Sequence, residues 1–173
     1  IAEEFPDGFH GVELKPEALS DLVAVAAVIH HRYELRAHER APHFHANGSA
    51  VAGKWVVKLG GHKHETTVAE TAAGFAVIAG KTSHELVSDW KLGDVLWRGR
   101  IDGRSITAQI DRTGTGYRLT YAGALADVLV LTPRAAELDR HMLVKQPPDM
   151  SKFLLSPMPG LLREVAVKVG QDV

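Results

Sequence analysis

From Leu22 to Ile29 the chain reads Leu-Val-Ala-Val-Ala-Ala-Val-Ile, eight consecutive residues without a polar side chain. The surroundings predict a helix. Pro16 suits a first helical position, Glu17 and Asp21 sit toward the positive end of the dipole, and Arg32, Arg36 and His38 sit toward the negative end. Run from Pro16 to about Arg36, such a helix has roughly 20 residues and a length of about 30 Å. A helix resting on one sheet face needs a single apolar stripe, whereas one that is apolar all round must be enclosed. The alanines at 24, 26 and 27 let enclosing backbone come close. A helical bundle would also enclose it, but that requires other amphipathic helices, and no segment of comparable quality occurs.

Beyond residue 53 the chain takes on a β-pattern. Candidate strands are Lys54 to Leu59, His64 to Ala69, Phe75 to Ala79, His84 to Trp90, Asp94 to Asp102, Arg104 to Arg112, Gly116 to Tyr121 and Ala124 to Thr132. Alternation is clearest in Trp55/Val57/Leu59, Leu86/Ser88/Trp90, Val95/Trp97/Ile101, Ile106/Ala108/Ile110 and Tyr117/Leu119/Tyr121, with largely polar residues between, so one face is wet. Gly60-Gly61, Gly80, Gly93, Asp102-Gly103, Gly114, Gly116 and Gly123 supply the turns. Connections this short exclude parallel crossovers. The expected fold is α+β: an eight-stranded antiparallel β-barrel or half-barrel around the long hydrophobic helix, whose curling also removes exposed edges. The last strand is apolar on both faces, with Leu125, Leu129 and Leu131 on the outside. The cover expected for them is the chain's own short helix around Arg134 to Leu143, and the alternative is a neighbouring module.

Twenty basic against 21 acidic residues give a formal net charge of −1, which offers no long-range attraction for nucleic acid or anionic lipid. The absence of cysteine removes disulfides, thiolate zinc sites and cysteine nucleophiles, and fits a reducing interior. The run from Leu22 to Ile29 is too short to span a bilayer, so the expectation is a soluble, intracellular protein. A chain that opens on Ile1 and closes on Val173 in a strand-like pattern is expected to be part of something longer.

Four segments, in order, carry a family resemblance. They are Phe5-Pro-Asp-Gly-Phe-His-Gly11, the stretch from Trp90 to Gly103, Leu131 to Leu138 with Pro147 to Leu155, and Ser156-Pro-Met-Pro-Gly160 leading into a strand. Together they resemble the propionyl-CoA carboxylase α subunit, the biotin carboxylase subunit of a biotin-dependent acyl-CoA carboxylase. The resemblance implies a lead-in from the biotin carboxylase module at 1–14, a BT (subunit-interaction) domain at 15–145, a linker at 146–155 and the truncated start of the biotinyl carrier domain at 156–173. It implies an assembly domain without catalytic residues, tying the biotin carboxylase module to the carboxyltransferase β subunit. It also implies a parent enzyme that uses ATP, bicarbonate, biotin and Mg or Mn to carboxylate propionyl-CoA, in bacterial cytoplasm or in the mitochondrial matrix. A methylcrotonyl- or geranyl-CoA carboxylase parent, or a hotdog-type acyl-CoA thioesterase, are the alternatives. In the family, the segment between helix and first strand forms a hook that engages the carboxyltransferase subunit. By position the hook is residues 38–48, with His38, Glu39, Arg40, His43, Phe44, His45 and Asn47 as partner-binding residues.

Other chemistry finds little footing. His43-Phe-His45 and His62-Lys-His64 have a spacing that could converge on a metal, but no carboxylate is placed behind them, and no metal site is assigned. No Gly-x-Ser-x-Gly elbow occurs. Gly114-Thr-Gly116 leads into a strand instead of a helix N-terminus, so it is a turn and not a phosphate cradle. Biotin attachment in carrier domains uses a lysine flanked by methionines, and none of the nine lysines has that setting, Lys168 lying between Val167 and Val169.

Overall fold

In the computed structural model, residues 12, 14–40, 51–143, 150, 153, 160, 161, 163–167 and 171 are described. The chain divides into two units, Ile1–His141 and Met142–Val173. In the second unit the described residues lie outside helix and strand, and the Phe153 N–H donates to the Met150 carbonyl at 3.0 Å. The lead-in motif at 5–11, the linker apart from Met150 and Phe153, and most of the 156–173 segment fall outside the described residues.

The first unit opens with α1, Pro16–Arg40. It is four residues longer than the sequence pattern implies. Ala37, His38, Glu39 and Arg40 contain no breaker, and the first strong stop signal is Pro42, which disfavours helix at the residue before it. Leu22 to Ile29 are all between 0 and 3% exposed.

Eight strands come after it: β1 Lys54–Leu59, β2 His62–Glu70, β3 Phe75–Ala79, β4 Thr82–Ser88, β5 Leu96–Ile101, β6 Arg104–Thr113, β7 Gly116–Tyr121 and β8 Ala124–Leu131. Each pairs antiparallel with the next, and β8 returns to β1 with Val57 opposite Val130, closing the barrel. At the β5–β6 hairpin Asp102 and Gly103 have φ of 51° and 80°, the left-handed pair that a two-residue turn requires.

The largest departures from the expected strand bounds are at β2, β4 and β5: β2 and β4 each begin two residues earlier than the pattern implies, at His62 and Thr82, and the connection between β4 and β5 is longer than it implies. β4 ends at Ser88 and β5 begins at Leu96 because Asp94 builds a turn between them. Its carboxylate accepts from the Lys91 N–H at 3.0 Å and its carbonyl accepts from the Trp90 indole at 2.9 Å. Val95, expected on the inner face with Trp97 and Ile101, is 56% exposed on that turn.

Inward-pointing strand residues, including Trp55, Val57, Val77, Leu86, Trp97, Ile101, Ile110, Leu119 and Val130, form one apolar cluster with Leu22 to Ile29 of α1. The helix packs against β1, β2, β3, β4 and β8. Its side chains also reach Arg104 on β6 and Tyr117 on β7.

A short helix, α2 (Pro133–Asp139), is capped by the Thr132 hydroxyl, which accepts from the Ala135 N–H. It packs on β1 and β8, and Asp139 holds Lys58 and Lys63 on the outer surface at 3.1 Å. Leu129 and Leu131 are half-buried, while Leu125 stays exposed, so the outer apolar face of β8 is only partly shielded.

Candidate interaction site at the exit of the long helix

The last three turns of α1 are the richest polar and aromatic junction in the described structure. Tyr33 stacks on Tyr117 of β7 with ring centroids 6.2 Å apart, and meets Trp90 edge-on at the same distance. The Arg112 guanidinium from β6 lies 4.7 Å from the centre of the Tyr33 ring. Arg32 lies 5.5 Å from the Trp90 ring and donates a hydrogen bond to the Trp90 carbonyl. Arginine over an aromatic face gains electrostatic attraction while its polar edge stays wet, so both guanidinia are held in place and remain available.

About one helical turn inward from Tyr33, His30 Nδ1 lies 3.1 Å from the Tyr117 hydroxyl and its ring meets Trp55 edge-on at 4.7 Å. Burial lowers the His30 pKa below its ordinary 6.5, opposed by Glu34 and reinforced by Arg112 and His31. Burial likewise lowers His31, opposed by Glu70. Burial pushes the Tyr117 phenol up, so it remains protonated. A neutral His30 accepting from the Tyr117 hydroxyl fits both directions.

Toward the start of α1 a second polar group fixes the helix. The buried Asp21 carboxylate receives both Arg104 guanidinium arms, at 2.9 and 3.1 Å, and Glu17 adds an outer contact at 3.3 Å. Ser20 Oγ lies 2.8 Å from His84 Nε2, and His84 Nδ1 lies 2.7 Å from Asp102. Burial pushes the Asp102 carboxyl up, but the Glu85 N–H, His84 and Arg104 together hold it below the usual carboxylate range. The order serine, histidine, aspartate is that of a hydrolase relay. Ser20, however, sits inside α1, where backbone N–H groups are committed to the helix and leave no donor pair for an oxyanion. The chemistry it can perform is mechanical: it joins the helix to β4 and to the β5–β6 turn.

Of the residues assigned to the hook, His38, Glu39 and Arg40 form the last turn of α1. His43, Phe44, His45 and Asn47 lie outside the described residues. His62 and His64 fall at the start of β2, and among the described residues no group of three or more His, Asp or Glu could hold a metal. The sequence identifies the arginines of α1 but not Tyr33, Lys91, Arg112 and Tyr117 as their neighbours. Only the Arg32, Arg36, Arg40 spacing is a usable signal, because Lys91, Arg112 and Tyr117 come from three places in the barrel.

Comparison with known proteins places the chain. The sequence profile described as "Propionyl-coenzyme A carboxylase BT domain" matches residues 22–145, from the apolar segment of α1 past the end of α2. Over its whole length the chain is 40% identical to the propionyl-CoA carboxylase alpha chain of Ruegeria pomeroyi, covering 26% of that protein. It is 31% identical to the mitochondrial propionyl-CoA carboxylase alpha chains of Mus musculus and Homo sapiens, again over its whole length, covering 25% and 24% of them. The chain thus spans about a quarter of the length of these curated relatives.

Proposed function

This chain belongs to the propionyl-coenzyme A carboxylase BT domain family, and we propose that it is a noncatalytic assembly domain within a biotin-dependent acyl-CoA carboxylase. In this reading it ties the biotin carboxylase and biotinyl carrier modules of its own polypeptide to a carboxyltransferase β subunit. The parent enzyme uses ATP, bicarbonate, a divalent metal and biotin to carboxylate propionyl-CoA. The single observation carrying the proposal is the family match, which covers the apolar segment of α1, the whole barrel and α2.

We also infer that the barrel encloses α1. The support is that eight consecutive helix residues, facing every direction over more than two turns, are at most 3% exposed and share one apolar cluster with the strands. A helix held that way is a rigid axle that runs to Arg40. The proposed hook, residues 38–48, starts in the last turn of this axle. Residues 1–14 would lead in from the biotin carboxylase module, 15–145 form the assembly domain, 146–155 the linker and 156–173 the start of the carrier domain.

The domain's contribution is then geometric. Holding two active-site modules within reach of a swinging biotin raises its effective concentration at each, without any reactive group in the holder. The location is that of the parent, bacterial cytoplasm or mitochondrial matrix. Among the described residues no helix is long and apolar enough to cross a membrane.

The test is association of the full-length α chain with its carboxyltransferase subunit, measured for the unaltered chain and for Phe44→Ala. An aromatic anchor at an interface is worth roughly 2 kcal/mol, so affinity should fall about thirtyfold while the melting temperature stays put. Undiminished affinity for Phe44→Ala, and for a 41–48 deletion, would remove the hook.

A further inference from the structure

The basic residues of α1 are not scattered. Arg32, Arg36 and Arg40 recur every four residues and form one row along the helix. Lys91, from the β4–β5 connection, and Arg112, from β6, line the same open groove of about 690 Å³, which Tyr33 and Leu92 line as well. Glu34 is the one carboxylate among the residues lining it. In a chain of formal net charge −1, five cations gathered around one groove is a strong segregation of charge.

Helix polarity accounts for part of this, since cations are favoured in a last turn. It does not account for Lys91 and Arg112, which arrive from elsewhere in the chain. Among the described residues no ion pair engages Arg36, Arg40 or Lys91. Five like charges set against a single carboxylate repel one another, which a partner of opposite sign relieves. Arg32 and Arg112 are already pinned on aromatic rings, so little side-chain freedom remains to be lost on binding.

We propose that this groove docks an acidic peptide segment of the carboxyltransferase subunit, a refinement that rests on the partner assigned above. Length favours a peptide. Arg32 to Arg40 spans about 12 Å along the helix at 1.5 Å per residue, room for roughly four residues of extended chain at 3.3 Å each. A single phosphate or carboxylate would satisfy only one or two of the five cations. Asp or Glu at alternate positions of an extended segment would face the arginine row, with Tyr33 and Leu92 beneath.

The experiment uses the full-length α chain and its carboxyltransferase subunit. One variant combines Arg36→Glu, Arg40→Glu and Lys91→Glu, all exposed residues. A charge-preserving control combines Arg36→Lys, Arg40→Lys and Lys91→Arg. The reversed variant should associate at least about tenfold more slowly at roughly 0.05 M salt, with the difference shrinking at roughly 0.3 M, because charges that steer encounter are screened. The control should keep the parent rate, and all three proteins should be fully folded, with the same circular dichroism, at the assay temperature. Equal association rates for parent and reversed variant at low salt would overturn the groove. If Phe44→Ala weakens binding while charge reversal does nothing, the groove fails and the assembly function stands. If the unaltered chain binds no carboxyltransferase subunit, both fail.

Discussion

Gly99 shows how much of this structure is decided by single atoms. It lies in β5 opposite Ser88, and a Cβ built there would sit 2.6 Å from the Val87 carbonyl oxygen and 2.8 Å from the edge of the Trp97 indole. Both neighbours are constrained, one as sheet backbone and the other as a side chain 1% exposed. Gly99→Ala should therefore overpack the sheet and cost about 1–3 kcal/mol in chemical denaturation. An unchanged midpoint would show that β4 and β5 can separate at this point. No sequence signal marks Gly99, because its constraint comes from another strand and from a ring two residues away on the inner face. Likewise, Ser20, His84 and Asp102 are spread over 82 positions of sequence, and nothing short of the barrel register brings them together.

At the scale of elements, α1 is sensitive to acid through its interior histidines. His30 and His31 both have folded-state pKa values below 6.5, so near and below that pH the unfolded chain binds more protons than the folded one. Their contribution to stability is complete above pH 6.5 and is lost as pH falls through the lowered folded values. Melting temperature should thus drop between pH 7.5 and about 5.5, and His30→Gln combined with His31→Gln should flatten that drop. A pH dependence identical in the double variant would show that His30 and His31 do not carry the acid response over this range. The elements themselves are largely legible: β1 and β7 coincide with their alternation patterns, since inward apolar and largely polar outward residues leave one register to a half-wet strand, and β3 is an apolar run bounded by Gly74 and Gly80. The ends are less so. The last turn of α1 resembles loop because its residues are polar, and the pattern starts β5 early because Val95 continues the alternation while Asp94 is already committed to a turn.

For the whole molecule, an eight-stranded barrel or half-barrel is legible from a count, and the β1–β8 pairing settles it as closed. Eight short antiparallel segments and one helix apolar on every side leave few arrangements that avoid both wet apolar surface and bare strand edges. The pattern does not show where the two ends of that helix are tied, by Asp21 to Arg104 at one and by Tyr33, Arg112 and Tyr117 at the other. Those ties fix both ends of a buried segment, which is the property that the proposed assembly role requires. The most direct test of this account exploits the absence of cysteine. Single replacements Ala24→Cys, Ala26→Cys and Ala27→Cys point in different directions around the helix, successive residues being about 100° apart. The account predicts that a water-soluble thiol reagent labels each of the three only at the rate of global unfolding. Rapid labelling of any one in the native protein would mean that a flank of the helix meets water, and the barrel would not be the sleeve on which the assembly role depends.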